Sequence, residues 1–196
     1  MNFLRKVVST AAVAALAVGM VGRAEAQVLT VPFMPPQPES SFGVYLSDYA
    51  DLAIEGIGRW NFGEFDMGLR GGVIDFGSET VATIGGEFRN PLSLGTDPLD
   101  LALTAGVQGL LGDIDGWGAQ AGLSVGHTFI ASTNGLRFTP YVHPRVAYVD
   151  FGGGDGDVEI LADIGFDVAF ATGLSLRFGA NLGDGADWGL GLAWRR

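Results

Sequence analysis

The chain has 196 residues, 47% of them hydrophobic and only 17% charged, with 32 glycines and a formal net charge of −11. The absence of cysteine excludes a disulfide framework, a thiolate metal site and a thiol nucleophile. The excess of acid excludes a nucleic-acid-binding surface, and the apolar content excludes a disordered chain.

Residues 1–26 have the plan of a secretory signal peptide. Arg5 and Lys6 form a positive start, Val7 to Gly22 is an apolar run, and Ala24-Glu25-Ala26 supplies small residues at an A-x-A site. Cleavage is expected between Ala26 and Gln27, and the run is short for an uncleaved spanning helix. The mature chain then has no lysine, because Lys6 is the only one. Residues 27–41, QVLTVPFMPPQPESS, hold four of the eight prolines and read as an extended N-terminal arm or linker.

From Phe42 onward, apolar residues recur with period two, the signature of strands. The alternation gives ten segments: Phe42–Ser47, Leu52–Phe62, Phe65–Val73, Ala82–Arg89, Leu99–Leu111, Trp117–Val125, Leu136–Tyr148, Val158–Phe170, Leu174–Leu182 and Trp188–Arg195. One face carries Leu, Ile, Val, Phe and Trp without Asp, Glu or Arg. The other is rich in Gly, Ser, Thr, Asn and Gln, with few charges. A soluble sandwich would carry many charges on its solvated face. A charge-free apolar face suits lipid, where a charge at mid-bilayer costs roughly 2–4 kcal/mol in a barrel. Most segments reach the ~9–11 residues a tilted strand needs to cross a bilayer. The expected fold class is all-β: an antiparallel up-and-down transmembrane β-barrel over residues 42–196. About ten strands are expected, with eight as the alternative if Phe42–Ser47 lies outside the sheet.

The connections split in two. Turns at 47–51, 75–79, 112–116, 150–157 and 183–187 are rich in Asp and Gly and hold no Lys or Arg. Those around Gly63, at 90–98, 131–135 and 172–173 are mostly Asn, Ser, Thr, Gly and Pro. With both termini in the periplasm, the Asp-rich set faces outward. Aromatics gather near both ends, as girdles at the headgroups require. Pro140 and Pro144 fall inside one segment, where each removes a ladder donor, so a bulge or local break is expected there.

The last segment, Asp187-Trp188-Gly189-Leu190-Gly191-Leu192-Ala193-Trp194, resembles the C-terminal assembly signal of bacterial outer-membrane barrels: polar, any, Gly, any, any, apolar, any, aromatic. The departure is the trailing Arg195-Arg196. The resemblance covers residues 42–196 and is to the class of small bacterial outer-membrane β-barrels, porin-like and OmpA-OmpX-like. It implies a Gram-negative cell envelope, delivery by periplasmic chaperones, and insertion by the barrel assembly machinery, with Asp187, Gly189, Leu192 and Trp194 as the recognised positions. Lipid and lipopolysaccharide would then be the surroundings.

Catalytic motifs are weak, and no enzyme activity and no cofactor are expected. Gly122-Leu123-Ser124-Val125-Gly126 fits a G-x-S-x-G pattern, but that motif needs a strand-to-helix turn and here lies within an alternating strand. His127 falls on the apolar face near the headgroup level. The expected lumen carries Glu55, Arg59, Asp66, Arg70, Glu87, Arg89, Arg137, His143, Arg145, Asp163, Asp167 and Arg177. Mixed charges favour pairing across a mostly filled interior. That points to a structural or surface-interaction protein. A narrow porin-like channel is the alternative and an outer-membrane lipid hydrolase the remote one. Asp113, Asp115, Asp155 and Asp157 belong to an acidic rim, a weak candidate site for divalent cations.

Overall fold

The computed structural model describes residues 29–48, 52–77, 79–93, 98–112, 115–131, 135–150, 156–182 and 188–196. The expected signal peptide, Asp113, Asp155 and Asp187 lie outside them. The strands are β1 (Ser41–Ser47), β2 (Leu52–Asn61), β3 (Asp66–Asp75), β4 (Thr80–Leu92), β5 (Asp100–Leu111), β6 (Gly116–Gly126), the two-residue β7 (Phe129–Ile130), β8 (Arg137–Asp150), β9 (Asp157–Ala169), β10 (Leu174–Asn181) and β11 (Trp188–Arg195). Consecutive strands pair antiparallel, except that β6 and β7 both pair with β8. The sheet closes where β1 meets β11, from Ser41↔Arg195 to Ser47↔Gly189.

β6 and β7 are one interrupted wall strand. Gly126 pairs with Tyr141 and Phe129 with Phe138, so the register against β8 carries straight across His127 and Thr128. The wall therefore has ten strands. Both interruptions follow from proline. The Pro140 carbonyl accepts from the His127 N–H at 3.3 Å, so the even-numbered backbone groups of this part of β8 face β6. Pro140 and Pro144 therefore lack their donors on that side. The ladder lapses where Leu123 and Ser124 stand opposite Pro144 and His143, and again where His127 and Thr128 stand opposite Pro140 and Thr139. On its other edge β8 pairs with β9 without a gap, from Arg137↔Ala169 to Val149↔Asp157. The expected local break is there. The alternative form of that expectation, a bulge, is corrected: no residue is inserted, because a missing donor thins a ladder without changing its count.

Side chains alternate cleanly. Leu69, Leu103, Val107, Val146, Ile160 and Leu190 are exposed on the outer surface, while their neighbours in sequence point inward. The outward positions within the strands carry no charge except Asp75 and Asp150 at strand ends. This inverts a soluble protein: the apolar band is outside and the charges are inside.

The sequence leaves open where the arm lies relative to the barrel. Residues 29–40 do not trail from the barrel. They turn back at Ser41 and run up the lumen, with Leu29, Thr30, Val31, Phe33 and Met34 all buried. Thr30 has no accessible surface. The arm starts beside the chain's C-terminus, where the Arg196 N–H donates to the Ser40 carbonyl at 3.0 Å. It ends at Leu29 beneath the Asp-rich turns. There Leu29 packs among inward-facing Ala53, Ile74, Val81, Leu110, Ala147, Val149 and Leu161.

Candidate functional site

Among the described residues the lumen concentrates buried polar chemistry, and its contents follow from the arm's composition. A segment threaded through a barrel has no strand partner for its backbone, so every N–H and C=O needs another partner. Pro32, Pro35, Pro36 and Pro38 have no N–H to satisfy. The Thr30 and Glu39 N–H groups donate to Gln108 and Asp66, and arginines from three neighbouring strands meet three of the carbonyls. Arg70 on β3 donates to the Val31 carbonyl at 3.2 Å and Arg59 on β2 to the Pro32 carbonyl at 3.0 Å. Arg89 on β4 donates to the Pro35 carbonyl. The Ser124 hydroxyl on β6 donates to the Met34 carbonyl at 2.6 Å.

Each of these arginines is neutralised by the wall itself. Arg59 Nη2 lies 2.7 Å from Glu87 Oε2, and Arg70 Nη2 lies 2.5 Å from Glu55 Oε2. Arg70 Nη1 reaches Glu87 Oε1 at 3.1 Å, and Arg89 pairs with Asp66. Thr30 ties arm to wall: its hydroxyl donates to Glu55 at 2.7 Å and accepts from Arg70 at 2.5 Å. Gln108 donates to Glu55 at 3.1 Å and to the Thr83 hydroxyl at 2.8 Å.

A second cluster sits across the lumen. Arg145 grips Asp163 through Nε at 2.8 Å and Nη2 at 3.1 Å. His143 bridges Asp163, 3.0 Å from Nδ1, and the Thr104 hydroxyl, 2.7 Å from Nε2. Arg177 pairs with Asp167 at 3.0 Å and with Glu39 of the arm, and donates to the Tyr45 hydroxyl at 2.6 Å. Nearer the termini, Gln37 donates to Asp100 at 2.9 Å and accepts from Arg137 at 2.6 Å.

Thus Glu55, Arg59, Asp66, Arg70, Glu87, Arg89, His143, Arg145, Asp163, Asp167 and Arg177 are all buried inside the barrel, with Arg137 half-buried at its mouth. His143, Arg145 and Asp163 bond to Thr104 and Gln120 of the wall, while the arm joins Glu55, Arg59, Arg70, Glu87, Arg89, Asp66, Arg137, Arg177 and Asp167 in one network. Sequence reasoning missed the arm's part in it, and with it Thr30, Met34, Gln37 and Glu39. The signal was present: Leu29-Thr30-Val31-Pro32-Phe33-Met34 is too apolar for a solvated linker.

Apolar anchors hold the arm as well. Phe33 packs on Tyr45 with ring centroids 4.7 Å apart and planes tilted by 44°, in a cluster with Val31, Ile57 and Ala193. The wall is cut back to fit it. A Cβ at Gly189 would lie 2.6 Å from Phe33 Cζ, and one at Gly118 would lie 2.9 Å from Leu29 Cγ. Phe33 is also the sole non-glycine residue with positive φ among the described residues, at 48°. For a bulky side chain this conformation costs about 1–3 kcal/mol, and it persists only where surrounding contacts fix it.

The remaining candidates are not brought together. Ser124 is fully buried and committed to Met34, while the His127 ring packs edge-on against Phe129 at 4.6 Å. Asp115 and Asp157 are exposed, and among the described residues no three acidic, His or Cys side chains group to hold a metal. Gly189, Leu192 and Trp194 lie on β11, with Trp194 and Leu192 facing out. Comparison with protein-family models and with curated protein sequences found no match.

Proposed function

We propose that the chain is an outer-membrane β-barrel with a structural or surface-interaction role and a lumen closed at rest. It is exported by a cleaved signal peptide and inserted by the barrel assembly machinery. The Asp-rich turns then face outward toward lipopolysaccharide and its divalent cations, and both termini of the barrel wall face the periplasm. One observation carries the reading: the outward face of the strands is an apolar band with charge only at Asp75 and Asp150, while the charged side chains of the lumen are enclosed. In water such a band is an aggregation surface. In lipid it is the solvated face, and ring closure satisfies the backbone that lipid cannot. Among the described residues the paired charges and the arm occupy the lumen, which favours the structural reading over a narrow porin-like channel.

The test is fractionation followed by electrical recording. The mature chain should stay with outer membranes after carbonate extraction and should hold a planar bilayer at baseline conductance. Recovery as a soluble periplasmic protein refutes the location. A steady open current from the full chain refutes the closed lumen.

A further inference from the structure

We propose that the arm is a withdrawable plug, and that the barrel conducts small ions when the arm leaves the lumen. This rests on the membrane-barrel reading above. The arm seals the interior at two levels. Leu29 fills the apolar ring beneath the Asp-rich turns, and Phe33 fills the cluster around Tyr45 and Ile57. In barrels of about eight strands, wall side chains alone suffice to fill the interior. This wall has ten, and glycines such as Gly118 and Gly189 stand where the arm passes, so the filling is supplied by the arm.

Withdrawal leaves the wall electrostatically complete. Arg59 retains Glu87, Arg70 retains Glu55 and Glu87, Arg89 retains Asp66, and Arg177 retains Asp167. Arg59, Arg70 and Arg89 give up only a carbonyl or hydroxyl of the arm, which water replaces, and Arg177 gives up Glu39 but keeps Asp167. No wall carboxylate loses its arginine, so the emptied barrel keeps a hydrated, charge-balanced lining. The left-handed backbone at Phe33 is relieved once the arm is free.

The experiment compares three proteins: the full mature chain, a chain lacking residues 27–38, and a full-length Leu29→Asp/Phe33→Asp variant. The last keeps every residue of the wall and covers the case in which the deletion does not fold. Flotation with phospholipid vesicles scores insertion. Planar-bilayer recording in potassium chloride scores conduction. We expect all inserted proteins to float, the full chain to stay at baseline, and the variants to show discrete conductance steps. A synthetic peptide of residues 27–40 should return the deletion variant to baseline. Silence of every floated variant overturns the plug, because the wall then closes the lumen by itself. A full chain that conducts as well as its variants overturns it too, because the arm then seals nothing. Failure of the full chain to float refutes the membrane reading instead.

Discussion

Arg70→Met tests whether the interior is packed or wet. Arg70 is the most connected cation of the lumen. It donates to Glu55 at 3.1 and 2.5 Å, to Glu87 at 3.1 Å, to the Thr30 hydroxyl at 2.5 Å and to the Val31 carbonyl at 3.2 Å. The side chains of Arg70 and Glu55 are 2% and 1% exposed. Removing the guanidinium leaves Glu55 with two neutral donors, Thr30 at 2.7 Å and Gln108 at 3.1 Å, and no cation. Stranding one member of a buried pair costs about 3–5 kcal/mol. At about 1.4 kcal/mol per decade, the folding equilibrium should fall by roughly two to four orders of magnitude. Arg70→Met/Glu55→Gln removes both charges and should recover at least about half of that loss. Urea unfolding of the refolded barrel in vesicles, followed by tryptophan fluorescence, measures both. A single-variant cost below about 1 kcal/mol, with no recovery in the double variant, is what a solvated pair gives. It would refute the packed interior.

Three further outcomes follow from the same geometry. Val107→Arg, on the exposed outer face near the middle of β5, should cost roughly 2–4 kcal/mol in vesicles, read from the unfolding midpoint. Gly189→Val places a side chain where Phe33 Cζ and the Leu46 carbonyl already sit, at 2.6 and 2.9 Å from a Cβ. Overpacking of this kind costs about 1–3 kcal/mol, and Phe33→Ala in the same chain should relieve part of it. Proteinase K on the folded, vesicle-bound mature chain should leave residues 29–40 intact, as N-terminal sequencing would show; cleavage between Val31 and Gln37 contradicts their enclosure.

The wall was legible because barrel strands write their faces with period two. The inward Glu55, Arg59 and Arg70 and the outward Leu52, Ile54 and Leu69 alternate in sequence as they do in space. A one-residue slip would have exchanged every one of them. Pro140 and Pro144 gave the place of a ladder fault but not its form, since proline removes a donor without dictating an inserted residue. The arm was not legible because its partners are scattered. Thr30 meets Glu55, Arg70 and Gln108, up to 78 residues away, and no local pattern encodes such a meeting. Proline-rich composition reads as linker in water. Only a surrounding wall with arginines in place turns the same composition into a backbone cheap to bury.

The arm's bonds fall on β2, β3, β4, β5, β6, β8 and β10. Neighbouring strands of a barrel check one another only in pairs, and a slip of two residues preserves which side chains face in, so the alternation does not detect it. Such a slip moves a wall donor by about 7 Å along its strand. Arg59 would then miss Pro32, or Ser124 would miss Met34, and a buried carbonyl would be stranded. A single inextensible ruler laid down the axis therefore compares the offsets of non-adjacent strands, which the pairwise ladders never do. It is attached at Ser41, next to the seam where β1 closes on β11. A ring that has closed with one strand out of step cannot seat it, so full seating of the arm reports that the whole circumference has been wound correctly.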